Sequence, residues 1–225
     1  MTANQLSEEL LLIVKKEEST ADLVAQLSVL PFNQLLQDLR LEGQKKAFWI
    51  NLYNAFFLIL RKEHQIEKPQ IFREPLIHIA GHNFSLDDME HGILRKHRFK
   101  WSLGYLQNPF ASGLIKKLAV AKVDYRIHFA LNCGAKSCPP IAFYTAERLE
   151  QQLEMATLSF LETETQVDKE KKEIHITRLF QWYNGDFGGS KGIHRILQEK
   201  LGLATKGMRL VYSTYNWEEA LDNFK

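Results

Sequence analysis

The sequence has 225 residues, of which 45% are hydrophobic and 25% charged, with 12 Gly and 6 Pro. These values exclude a disordered chain, a collagen-like rod and a disulfide scaffold, and the length supports a sizeable core without metal or disulfide staples. Twenty-nine basic residues against 27 acidic ones leave a formal charge of +2, too weak a field to expect nucleic acid or a membrane surface as partner without a local patch.

The first ten residues lack a basic region ahead of an apolar run, so no secretory signal is expected. Leu6, Leu10, Ile13 and Val14 recur at helical spacing, and a second series runs through Leu27, Leu30, Leu35, Leu36 and Leu39, with Pro31 placed to begin a new helix. Lys45 to Lys62 is the strongest predicted helix, with Trp49, Tyr53, Phe56, Phe57 and Leu60 on a broad buried face. Its apolar part is interrupted by Asn51 and Asn54 and is too short for a membrane span. Short strands are predicted at Leu76–Ile79 and Asn83–Phe84, then a helix over Leu86–Lys96 with Ser85 as cap and Asp88 three residues on. Ile127, Phe129 and Leu131 alternate with Arg126, His128 and Ala130, the period of a half-buried strand over Val123–Leu131. Thr145 is the expected cap of a helix through Leu161. Strands are expected at Ile174–Thr177 and Leu210–Tyr212, and a helix at Lys191–Glu199. No linker or repeat divides the chain. The expected architecture is a single α+β domain, a helical N-terminal layer packed on a small mixed sheet, with residues 1–44 as a helical extension and 45–225 as the main domain.

The richest segment runs from His128 to Pro140. A strand leading into Asn132 and Cys133, a flexible Gly134, and the stiff Pro139-Pro140 pair describe a rigid polar loop. Cys133 is the first candidate nucleophile, because a thiolate attacks carbonyls once a cation, an imidazole or a helix start lowers its pKa. Cys138 competes for the role, and two merely structural cysteines are the plain counter-reading. His91 or His128 would move the proton. Glu90 or Asp87 would orient His91, while Arg95, one more turn along, would grip a carboxylate or phosphate; an exposed ion-paired helix face is the alternative. Lys136, Ser137 and the loop N–H groups would receive an anion. Asn51 and Asn54 lie three apart on one helix and either line the pocket or tie the helix to the loop. The segments Arg178–Tyr183 and Tyr212–Trp217 serve as an apolar lid or a pocket wall.

Cys133, Cys138, His128 and His91 are donors zinc accepts, but Cys-x4-Cys is no recognised zinc pattern, and no metal or other cofactor is expected. The phosphate-binding loop lacks its first glycine, and Asp186-Phe-Gly188 stands without the other kinase motifs.

Four pieces in order, Phe48-Trp-Ile-Asn-Leu-Tyr-Asn-Ala55, Leu86-Asp-Asp-Met-Glu-His-Gly-Ile-Leu-Arg95, Ile127-His-Phe-Ala-Leu-Asn-Cys-Gly-Ala-Lys-Ser-Cys-Pro-Pro-Ile141 and Leu179-Phe-Gln-Trp-Tyr-Asn-Gly-Asp-Phe187, resemble the domain-of-unknown-function family numbered 547. The aromatic end, Tyr212 to Leu221, resembles that family too but departs at Thr214-Tyr215-Asn216. The resemblance implies a shared scaffold found in bacterial proteins and in larger eukaryotic chains, and no established reaction. From the residues themselves the expected function is a thiol-dependent hydrolase or acyltransferase acting on an amide or thioester-like carbonyl. The alternatives are a non-catalytic domain binding a peptide or small anionic ligand, and a zinc-supported interaction scaffold. Few cysteines fit a cytoplasmic location.

Overall fold

Helix α1 (Ala3–Lys16) begins at Thr2, whose hydroxyl accepts from the Gln5 N–H while the Gln5 side chain accepts from the Thr2 N–H, a reciprocal cap that fixes a helix start. The computed structural model describes residues 1–225. Helices α2 (Ala21–Val29) and α3 (Phe32–Asp38) follow, with Pro31 directly before α3 as its position in the sequence predicts. Helix α4 (Glu42–Leu58) is buried at every residue from Ala47 to Leu58. It is a central rod rather than a one-sided amphipathic helix, which is why apolar residues surround it on all faces. Its end widens into a π turn, Ile59–Glu63.

After α5 (Gln70–Arg73), strands β1 (Ile77–Ile79) and β2 (His82–Phe84) form an antiparallel hairpin. Ser85 and Asp88 cap each other as expected, the Ser85 N–H donating to Asp88 Oδ2 at 2.9 Å and the Asp88 N–H to Ser85 Oγ at 3.0 Å. The helix they begin, Asp88–Leu94, is wound as a π-helix: the Arg95 N–H reaches Glu90 O at 2.8 Å and the His97 N–H reaches Gly92 O at 2.6 Å. Such wide turns recur at functional sites. Helix α6 (Gly113–Leu118) then closes against it.

The strand expected over Val123–Leu131 is not formed. Tyr125–Phe129 is a 3-10 turn, started by Asp124 Oδ1 accepting from the Arg126 N–H at 3.2 Å and from Arg126 Nε at 2.9 Å. Ile127, His128, Phe129 and Ala130 are all buried, so alternation of residue type did not report alternation of burial. The turn is a rivet between two cores. Ile127 and Ala130 belong to a large apolar cluster running from Ala3 to Leu153, whereas Phe129 belongs to a second one with Phe160, Phe180, Phe187 and Ile193.

Helix α7 (Leu149–Glu164) starts after Arg148 rather than at Thr145, whose N–H is taken by Gln152 Oε1 at 2.9 Å. Strands β3 (Gln166–Asp168) and β4 (Glu173–Ile176), helices α8 (Leu179–Trp182) and α9 (Gly189–Leu201), and strand β5 (Arg209–Tyr212) complete the chain. Strand β4 is central, antiparallel to β3 and parallel to β5; β3 had no counterpart in the sequence reading. A helical N-terminal layer thus packs on a small mixed sheet in one α+β domain. No helix is long and apolar enough to cross a membrane.

Candidate functional site

Asn132 anchors the cysteine loop. Its N–H donates to Asn54 Oδ1 at 3.0 Å, its Nδ2 donates to Pro139 O at 2.7 Å, and its Oδ1 accepts from the Gly134 N–H at 2.6 Å. Asn54 Nδ2 also donates to Ala130 O at 2.9 Å, so this α4 amide ties the rod to the loop from both sides. Asn51 performs the same service at Tyr144, donating to its carbonyl at 2.7 Å and accepting from its N–H at 3.1 Å. Buried amides thereby find the partners that burial demands.

The loop brings the two free cysteines together, with Sγ of Cys133 and Sγ of Cys138 2.6 Å apart. The Tyr215 hydroxyl lies 3.1 Å from the Cys138 sulfur and 3.8 Å from that of Cys133, and the Cys133 N–H donates to Cys138 Sγ at 3.2 Å. Burial pushes the Cys138 thiol up, but the donors from Cys133, Tyr215 and the backbone N–H groups of Cys133 and Ala135 outweigh it and hold the pKa down to about 6. The hydrogen bond to Cys138, burial and the charge next door drive Cys133 the other way, well above the thiol range. The pair therefore loses its first proton early and its second late, as two close acids must.

A cavity of about 210 Å³ opens over these sulfurs. Glu90, His91, His128, Cys133 and Cys138 all line it, and Tyr53, Lys68, Lys100, Trp182, Tyr183 and Trp217 contribute wall. The π-helix and the cysteine loop thus face one shared space.

His128 is 3% exposed, and its Nε2 sits 2.9 Å from Asp186 Oδ2. A carboxylate only accepts, so Nε2 carries the proton and Nδ1, which takes no hydrogen bond from the chain, keeps its lone pair. Burial lowers the His128 pKa despite Asp186, leaving a neutral ring at neutral pH. His91 is arranged differently. Arg95 donates to His91 Nδ1 at 2.7 Å, which puts the proton on Nε2, 3.6 Å from Asp87 Oδ1. Burial again lowers its pKa. Glu90 is 7% exposed and accepts from the Tyr183 hydroxyl at 2.7 Å and the Tyr53 hydroxyl at 3.3 Å. Burial opposes its ionisation, yet His91, Arg95 and the Tyr183 bond together lower its pKa, so it stays charged. The Tyr183 ring also stacks on His128 with centroids 3.8 Å apart, beneath the Arg95 guanidinium.

Asp87 lines the cavity as well, whereas Asn51, Asn54, Arg95, Lys136 and Ser137 lie around it and not on its wall. Arg95 is fully buried and pairs through Nε with Asp186 Oδ2 at 2.6 Å. Its row with Asp87 and His91 does form, with His91 and Arg95 interior and Asp87 half-buried, paired with Lys100 at the surface. Lys136 points to Glu218 at the surface, and Ser137 Oγ accepts from the Asn216 N–H at 2.9 Å. A larger groove of about 490 Å³ lies beyond Cys138 against α7, without an imidazole. No three His, Cys, Asp or Glu side chains converge on a point that would hold a metal ion.

Sequence reasoning did not connect Asp186 to His128, Tyr53 to Glu90, or Tyr215 to the sulfurs. The available signals were their positions inside the aromatic pieces Phe48–Ala55 and Leu179–Phe187 and in the terminal aromatic segment.

No curated protein and no solved structure matches the chain. A family model described as "Protein of unknown function, DUF547" matches residues 36–161. The match takes in Glu90, His91, His128 and both cysteines, while Tyr183, Asp186 and Tyr215 fall after it. Because it covers more than half of the 225 residues, the chain belongs to the DUF547 family.

Proposed function

We propose that the protein is a thiol-dependent hydrolase or acyltransferase acting on an amide or thioester-like carbonyl. The observation that carries this reading is the meeting of an acidic thiol pair and an oriented neutral imidazole on one cavity wall. The negative charge of the pair rests on Cys138, so attack on the carbonyl is assigned to that sulfur, and Cys133, the first candidate from sequence, holds the neighbouring proton. His128, held by Asp186 with Nδ1 free, is the better shuttle, because the equivalent nitrogen of His91 is occupied by Arg95. Glu90 fixes Tyr183 against His128 and acts as a positioning residue. Phe72, Leu131, Leu179 and the tryptophans give an apolar wall, with Lys68 and Lys100 as the cations among the lining residues. A wall of that kind suits a short acyl group carried on an anionic or peptide-like portion.

The test is a panel of activated esters and acyl thioesters. The wild-type chain is expected to form an acyl adduct visible by intact mass, mapped to the Cys133–Cys138 peptide, and Cys138→Ser should reduce turnover at least about 100-fold. Turnover unchanged in both single cysteine variants would overturn the reading, and saturable binding of an acyl-anion probe without an adduct would favour a non-catalytic ligand-binding domain.

A further inference from the structure

Acyl transfer needs one sulfur, and this cavity contains two. Their approach is imposed by the chain around them and not by a bond between them. The Cys138 N–H donates to Ala135 O at 2.9 Å, closing the turn, while Lys136 N–H donates to Glu218 O at 2.7 Å and Ala220 N–H to Gly134 O at 2.9 Å. The C-terminal segment therefore clamps the loop from outside, and Asn132 staples its two ends from inside. Both thiols are free, both open on the cavity, and Tyr215 reaches over the two of them.

We propose that Cys133 and Cys138 form a redox-active dithiol that reduces low-molecular-weight disulfides by thiol–disulfide exchange. The Cys138 thiolate attacks one sulfur of the incoming disulfide, the S–S bond of that molecule breaks, and its other half leaves as a thiolate. Cys133 gives up its proton to that leaving group and its sulfur then attacks Cys138 Sγ, 2.6 Å away in the reduced protein. The second half departs as a thiolate and takes a proton from solvent. Two electrons pass from the cysteines to the substrate, which becomes two thiols, while the protein acquires one internal disulfide. An acidic first thiol raises the thiolate fraction near neutral pH, and a second thiol already in reach resolves the mixed disulfide before it accumulates. The inference is independent of acyl transfer, although the oxidised form would lack the sulfur nucleophile that acyl transfer requires.

The experiment equilibrates the reduced full-length chain with mixtures of reduced and oxidised glutathione, quenches with acid, and counts free thiols by maleimide labelling and intact mass. The expected result is one two-electron transition from two labelled thiols to none, with loss of two hydrogen atoms and a disulfide-linked Cys133–Cys138 peptide. Cys133→Ser, which keeps the attacking sulfur, should instead accumulate a glutathione adduct at Cys138 lasting on the order of ten-fold longer than any adduct of the wild type. Two labelled thiols persisting in the folded wild type under oxidised glutathione alone would overturn the proposal. So would stable glutathione adducts on the wild type without the internal bond. Because neither readout uses an acyl substrate, inactivity toward esters leaves the redox result intact, and the converse holds as well.

Discussion

Asp186 does more for this site than any other carboxylate. With its side chain fully buried, it receives Arg95 Nε at 2.6 Å and His128 Nε2 at 2.9 Å, with Arg98 Nε 3.2 Å from its other oxygen. Burial raises the cost of its charge, but His128 and Arg95 outweigh that and keep its pKa below the usual carboxylate value. Removing one partner of a buried ion pair strands the other, so Asp186→Asn is expected to lower stability by about 3–5 kcal/mol in urea unfolding. The same substitution puts a neutral amide where the His128 imidazole had a carboxylate acceptor, and the imidazole pKa, which Asp186 raises, should fall further. An NMR titration of His128 that does not move would contradict its assignment as the oriented base. Gly104 makes the contact sterically possible: at φ +89° a Cβ there would lie 2.4 Å from Asp186 Oδ1. None of this was readable from the sequence, because His128 and Asp186 stand 58 positions apart and each sits among aromatics that packing alone would explain.

The elements were more legible than the contacts between them. The capped start at Ser85, the hairpin before it, strand β4 and helix α9 follow directly from local pattern. The 3-10 turn at Tyr125–Phe129 did not, because alternating types imply a strand only when one face meets water, and this segment is buried between two cores. The π winding of Asp88–Leu94 was equally hidden, yet it preserves the Asp87–His91–Arg95 row read from helical spacing. In the cysteine loop the sequence did report its own geometry. Gly134 has φ +75°, and a Cβ would come 2.6 Å from Phe57 Cζ. Gly134→Ala therefore combines backbone strain with a clash against α4, and a loss of about 2–4 kcal/mol is expected by thermal or chemical denaturation. A loss below about 0.5 kcal/mol would mean that the loop is not held in this form.

At the scale of the whole molecule, the cavity lies where the helical core meets the sheet core, and its wall is assembled from residues between Tyr53 and Trp217. The family match covers the acid–imidazole helix and both thiols, while Tyr183, Asp186 and Tyr215 come from the sheet-side and terminal segments after it. The site therefore needs the two layers docked, because Tyr183, Asp186 and Tyr215 reach Glu90, His128 and the sulfurs from the far side of the cavity.

The most direct measurement is the rate of iodoacetamide alkylation of the reduced chain as a function of pH, resolved by peptide mapping. A depressed folded-state pKa places the thiolate at lower pH, so labelling at Cys138 should rise with a midpoint near 6, and Tyr215→Phe, which removes the hydroxyl donor 3.1 Å from that sulfur, should move the midpoint upward. A first midpoint near the ordinary thiol value of about 8.5, the same with and without the Tyr215 hydroxyl, would contradict the account of an acidic thiol pair presented to the cavity.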